Sequence, residues 1–310
     1  MSDAELPIDP LWPRAAHWFV PAEEPVATAC DLGLLGVPAF RTSITPTGAH
    51  ATPAAVRSAL RRYSTYSASH GVDVGQLTAV DFGDADDPDG PNGAANVYHA
   101  VTRASGARLL IAVGGDNSIT YPVVRSLWPE DGELGGVGLI TVDAHHDLRD
   151  GANNGSPVRR LIEAGLPGTS VVQIGIADFS NSPAYAERAR ELGITVIPRC
   201  NLRGAALATI ASRALAAAGA GGRPVFVDFD VDVCDRAAVP GCPSAAPGGI
   251  SPDELRELAF LFARSPLVRG IDITEVDATA DTPDERTVRL AALLVLEAAA
   301  GLASRGGSAG

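Results

Sequence analysis

Residues 139–151 read LITVDAHHDLRDG, an apolar run that ends in Asp143, His145 and Asp147 at every second position. Alternate side chains of an extended segment point the same way, so two carboxylates and an imidazole converge on one side. A second run, PVFVDFDVDVCD (224–235), ends in Asp228, Asp230, Asp232 and Asp235. Two more end alike: one in Asp116, Asn117 and Ser118, the other in Asp272, Glu275 and Asp277. Like charges this close destabilise one another unless something positive lies between them. A carboxylate-rich set with one or two imidazoles suits Mn²⁺ ahead of Mg²⁺ or Fe²⁺. Two metals sharing bridging carboxylates would explain why acids arrive from separate segments. A lone DxD is more often a helix cap or an Arg partner. Two such clusters, each closing an apolar run, reverse that preference.

The elements that must position these residues are legible. Apolar runs at 30–38, 77–83, 107–115, 136–144, 170–177, 194–199, 224–232 and 268–276 are near-continuous, as in parallel strands buried on both faces. Helical stretches lie between them, among them 52–63, 182–192, 203–219, 252–264 and 285–303. Thr52-Pro53 and Ser251-Pro252 place a capping residue before a first-turn proline. This βαβ rhythm predicts an α/β fold: one three-layer domain spanning 1–310, with a mostly parallel, eight-stranded sheet flanked by helices. Residues 1–25 read as an N-terminal extension and 304–310 as a flexible tail; 85–93 is a turn-rich surface loop. In open parallel sheets, ligand-binding groups gather at the carboxyl ends of strands, where all four acidic clusters fall.

Composition narrows the partners. A formal charge of −13 argues against nucleic acid or anionic membrane, both of which reward a basic face. No stretch reaches the roughly 18 unbroken apolar residues of a membrane span, and the N-terminus lacks a signal-peptide layout. Four scattered cysteines without a CxxC pair suit reduced thiols. The expected location is the cytoplasm.

Several long motifs in order make the sequence resemble the ureohydrolase family of arginase, agmatinase and formimidoylglutamase over nearly its whole length. GGDNS is similar to the family's GGDHS, and DAHHD to DAHxD. DVDVCDRAAVPGCPSAAPGGIS follows the spacing of DxDxxDPxxxPG…PGG, and EVDATADTPDERT that of ExNPxxDxxxxT. TPTGAHATPAAVR and DFGD match weaker features. The resemblance implies two Mn²⁺ per chain, with Asp143, His145, Asp147, Asp230 and Asp232 at ligand positions and Asp143 and Asp230 bridging. It implies attack by a metal-bridging hydroxide on an amidine carbon, Glu275 gripping the substrate's amidine or guanidine nitrogens, and a catalytic role for Asp147 in steering protons. Family members also suggest a homo-oligomer, a trimer or hexamer.

Two departures bear on metal binding. Asn117 stands where the family places a sixth ligand, His; an amide oxygen coordinates more weakly, so one site should be weakened. Asp228 stands where Ser is usual. His146 fills the variable position of DAHxD and reads as a packed or exposed histidine.

The substrate reading rests on the segment after DAHHD. Arginase-like members place a His in NxHG there, whereas this chain has Asn154 followed by GSPVRR. That stretch is more similar to formimidoylglutamase, of G-[ST]-P-[FV]-R type, and includes Ser156. N-formimidoyl-L-glutamate carries two carboxylates, which suit Arg forks; Arg149, Arg159 and Arg160 are the candidates. Adjacent helical residues diverge, so Arg159 and Arg160 do not serve together. The expected reaction releases formamide and L-glutamate in histidine breakdown. The alternatives are a guanidino hydrolase that releases urea, and a non-catalytic relative weakened at Asn117.

Overall fold

The computed structural model describes residues 9–22, 29–130 and 132–306. Eleven strands form among them: β1 (Val20–Pro21), β2 (Cys30–Val37), β3 (Tyr66–Ser67), β4 (Val72–Asp73), β5 (Ala79–Asp84), β6 (Ala107–Gly114), β7 (Gly138–Val142), β8 (Val171–Ile176), β9 (Thr195–Pro198), β10 (Val225–Asp230) and β11 (Val268–Thr274). Strands β3 and β4 make a small antiparallel ribbon. The other nine form one parallel sheet in the order β1-β5-β2-β6-β11-β10-β7-β8-β9. All eight anticipated strands are present, and the sheet is nine-stranded rather than eight-stranded. The addition is β1, two exposed residues of the N-terminal extension that pair with β5 at the edge. The rest of that extension falls partly, and the end of the tail wholly, outside the described residues. Just before the latter, Arg305 donates to the carbonyls of Ala263 and Val268.

The continuous apolar runs have their cause in two-sided burial. Every residue of β7, β8 and β10 is buried, because helices cover both faces of the sheet. These are α1 (Thr52–Leu60), α2 (Gly93–Ala104), α3 (Thr120–Leu127), α4 (Pro157–Glu163), α5 (Pro183–Glu191), α6 (Leu207–Ala218), α7 (Pro252–Ala263) and α8 (Arg286–Ala303). One apolar layer joins α1, α6, α7 and α8 to the sheet through Val56, Ile210, Phe262 and Val295. The opposite layer uses Val97, Val123, Val158 and Ala189 of α2 to α5. Each such fully buried side chain contributes roughly 1.5–3 kcal/mol.

Caps fix where helices begin. Ser251 and Glu254 form a reciprocal capping box at α7, with Pro252 in the first turn. Ser182 caps α5 by accepting from the Tyr185 amide. Thr52, expected as a cap, is instead the first residue of α1, and its hydroxyl donates to the Val276 carbonyl. That bond ties α1 to the loop after β11, beside Glu275.

Candidate metal centre

The strand order brings the four acid-bearing tips together. β6, β11, β10 and β7 are consecutive neighbours at the centre of the sheet. In register, Asp228 of β10 lies between Thr141 of β7 and Asp272 of β11. Past the strand ends, backbone amides aim the carboxylates: His145 N donates to Asp143 (2.6 Å), Asp232 N to Asp230 (2.8 Å) and Ala144 N to Asp232 (3.1 Å). Two glycines make the tips fit. A Cβ on Gly115 would lie 1.7 Å from the Ala39 carbonyl oxygen, so the turn carrying Asn117 needs glycine. Gly175, at φ +101°, lets β8 approach β7 beside the Asp143 backbone. Asp147 and Glu275 have φ of 53° and 61°, a left-handed conformation costing each about 1–2 kcal/mol. One or two buried core side chains offset that cost, and the strain turns both carboxyl groups into the site.

The cluster is buried and short of donors. Asp143, Asp147, Asp228, Asp230, Asp232 and Glu275 are all buried, and among the described residues none forms an ion pair with arginine. Burial, reinforced by the Asp232 charge, raises Asp143 to about 6. Burial and neighbouring carboxylates push Asp147, Asp228 and Asp230 well above the ordinary range. Burial opposes a charge on His145, yet Asp232 and Asp143 outweigh it and raise the imidazole to about 12. His145 Nδ1 lies 2.7 Å from Asp232 Oδ2 and 3.6 Å from Asp143 Oδ1. So many buried acids with one imidazole are costly unless a cation compensates.

The donor sets fit divalent metal. Ligand atoms of Asp143, His145 and Asp232 lie within 4.8 Å of one another, as do those of Asp143, Asp147 and Asp228. Oδ2 of Asp143 and both oxygens of Asp228 have no hydrogen-bond partner. Asp143 belongs to both sets, the position a bridging carboxylate requires. Asp230 enters neither set, although it is buried nearby and lines the same cavity. Asn117, expected as the sixth ligand, is engaged otherwise: its Nδ2 donates to Asp147, and its Oδ1 accepts from Thr120 (2.8 Å) and Thr274 (3.2 Å). The Asp147 carboxylate needs a donor, which turns the amide nitrogen towards it. Asp116, Asp235 and Asp277 serve locally by accepting from nearby backbone amides.

A cavity of about 340 Å³ opens over the cluster, lined by His145, Asp147, Asp230, Asp232 and Glu275 on its floor. Arg149 and Asn154 line its wall. Asn154 Nδ2 donates to Glu275 Oε1 (2.9 Å), and its Oδ1 accepts from Ile44 N (3.0 Å), which holds two loops together. Ser156 and Arg159 are placed differently from the substrate role predicted for them. The Ser156 hydroxyl, fully buried, donates to the Asn153 carbonyl. Arg159 donates to the carbonyls of Arg149 (2.6 Å) and Gly151 and pairs with Glu163, so it braces the loop that carries Arg149. Arg160 stacks 3.8 Å from the Tyr121 ring. His146 is buried against Gln173, 2.6 Å away. The opposite wall, Ser180, Asn181, Ser182 and Tyr185, has no counterpart in the sequence reading. Its only signal is position, since DFSNSP follows the tip of β8.

A parallel α/β sheet whose central strand tips carry a buried aspartate–histidine cage defines the class. The chain belongs to the arginase family, whose profile matches residues 30–301. A formimidoylglutamase of Halalkalibacterium halodurans is 37% identical over 274 residues, covering 85% of this chain and 85% of the relative. The crystal structure of formimidoylglutamase from Bacillus subtilis matches with a TM-score of 0.89 at 30% identity, covering 99% of this chain and 97% of that one. The structure of Trypanosoma cruzi formiminoglutamase with Mn²⁺ matches with a TM-score of 0.84 at 25% identity, covering 95% of this chain and 99% of that one.

Proposed function

We propose that this protein hydrolyses N-formimidoyl-L-glutamate to L-glutamate and formamide, a step of histidine breakdown, using two Mn²⁺ ions. The observation that carries this reading is a single cavity with a buried carboxylate cage on its floor and Arg149 on its wall. One end of that cavity suits cations and a positively charged amidine, the other an anion. The formimidoylglutamases among its relatives support the same substrate.

Asp143, His145, Asp147, Asp230 and Asp232 would hold the ions, which supply the Lewis acidity that makes water a nucleophile near neutral pH. Glu275 grips the amidinium. Its Oε1 accepts from Asn117 N (2.8 Å) and Asn154, which fix its direction. Arg149 offers its guanidinium to a substrate carboxylate in a charge-assisted bond, and Arg159 holds the backbone of Arg149 in place. Water adds to the amidine carbon, the bond to the glutamate nitrogen breaks, and that nitrogen takes up a proton. Asp147, which accepts from Asn117 Nδ2, would carry that proton.

The whole chain, 1–310, acts as one ureohydrolase-like unit. The four free cysteines, three of them buried, suit a reducing compartment such as the cytoplasm. A trimer or hexamer would cover apolar side chains such as Leu11 and Phe179, which are 93% and 105% exposed.

The test is product identity across formimidoyl and guanidino substrates with added Mn²⁺. Formamide from N-formimidoyl-L-glutamate, with no urea from agmatine or guanidino acids, is expected. Urea without formamide would replace this substrate with a guanidino compound, and no turnover of either would favour a non-catalytic relative.

A further inference from the structure

We propose that Asp228 is an additional metal ligand, binding the ion held by Asp143 and Asp147 at the position that Asn117 leaves. This deepens the two-metal reading above and rests on it. Asp228 is fully buried, and its carboxylate oxygens meet no N–H or hydroxyl donor; the one polar neighbour within hydrogen-bond reach is another acid, Asp272. One oxygen lies within 4.8 Å of ligand oxygens of Asp143 and Asp147, so the three acids already share one locus. The strand register explains how. Asp228 precedes Asp230 by two residues on β10 and therefore projects from the same face, one pleat deeper.

The surroundings give that carboxylate no other cation. Asp272, beside it on β11, is also an acid, and Thr141, opposite it on β7, has a buried hydroxyl oxygen without a partner. Two adjoining buried carboxyl groups must share a proton or take up a cation, and a cation at the locus of Asp143, Asp147 and Asp228 serves all three acids at once. Asn117 cannot fill the coordination place while its amide nitrogen serves Asp147 and both lone pairs of its oxygen receive the Thr120 and Thr274 hydroxyls. The two positions are complementary. Where the resemblance leads one to expect His and Ser, this chain has an amide spent on its neighbours and a free carboxylate. The resulting ion site is all-oxygen and hard, which favours Mn²⁺ over softer, nitrogen-seeking metals.

The test is titration of metal-free protein with Mn²⁺, read by calorimetry and by metal content after desalting. Wild type should take up two ions. Asp228→Asn, nearly isosteric, should bind one of them at least about 10-fold more weakly and leave the other unchanged. Adding Asn117→His to that variant should restore tight binding by supplying an imidazole. Two ions bound to Asp228→Asn with wild-type affinity would overturn the proposal and leave Asp228 as the hydrogen-bonding partner of Asp272. Wild type that binds no Mn²⁺ would overturn the two-metal reading itself. Should the variants fail to fold, a manganese-edge anomalous map of wild type decides. An Asp228 oxygen bonded to a peak supports the proposal, and a carboxyl group turned to Asp272, away from both peaks, overturns it.

Discussion

Asp230→Ala is expected to abolish turnover and to release metal. Asp230 is 3% exposed at the tip of β10, and its Oδ1 orients the Asp232 backbone by accepting from that residue's amide. In the proposed metal centre its loss would remove a bridging carboxylate and unfix Asp232 together. Changes that only support a ligand cost about 10–100-fold in metal affinity, so a ligand itself should cost more than that. Several kcal/mol of transition-state stabilisation go with the metal, roughly 10³-fold or more in kcat. Misfolding is separable from this effect. Taking one carboxylate out of a buried, donor-poor cluster relieves repulsion, so the metal-free variant should unfold no earlier than metal-free wild type. Full activity with two ions bound would contradict the bridging role.

Glu275→Gln should spare the metal and damage the substrate step. Glutamine keeps the shape and one acceptor oxygen, so the bond from Asn117 N can persist, but the charge facing the amidinium is gone. Charge-assisted bonds are about twice as strong as neutral ones. Removing one in a buried site costs roughly 2–4 kcal/mol, or about 30- to 1,000-fold in kcat/KM. Burial raises Glu275 to about 7 against the bonds from Asn154 and Asn117 that favour its charge. Its ionised form is therefore marginal in the metal-free protein and should be stabilised by a cation. Wild-type kcat/KM in this variant, at unchanged metal content, would remove Glu275 from amidine recognition.

The strands and the acids at their tips were legible because two-sided burial leaves a plain mark, an apolar run that stops at an acid. β1 was not, since two exposed residues carry no such mark. Side-chain caps mark few helix starts in this chain: α1, α2, α3, α4, α6 and α8 all lack one. Ser156 illustrates the difficulty: Ser-Pro opens α4, but the hydroxyl turns back to Asn153 instead of capping. At the site, Asp143, His145 and Asp147 followed from spacing within one segment. The duty of Asn117 did not, because Thr120, Asp147 and Thr274 reach it from different parts of the chain. Arg159 likewise read as a substrate fork, and only the return of the loop over α4 makes it a brace. The wall from Ser180 to Tyr185 is neutral and belongs to no motif, so only the place of β8 in the sheet reveals it.

In the proposed metal centre, the acids at the tips of β7 and β10 tolerate one another because divalent cations lie between them. Crystals grown with excess Mn²⁺ and measured at the manganese absorption edge test this directly. Two anomalous peaks are expected, with Asp143 and Asp230 reaching both and His145 and Asp232 bound to one. Aspartates turned apart or held by arginine side chains, with no peak between them, would contradict it.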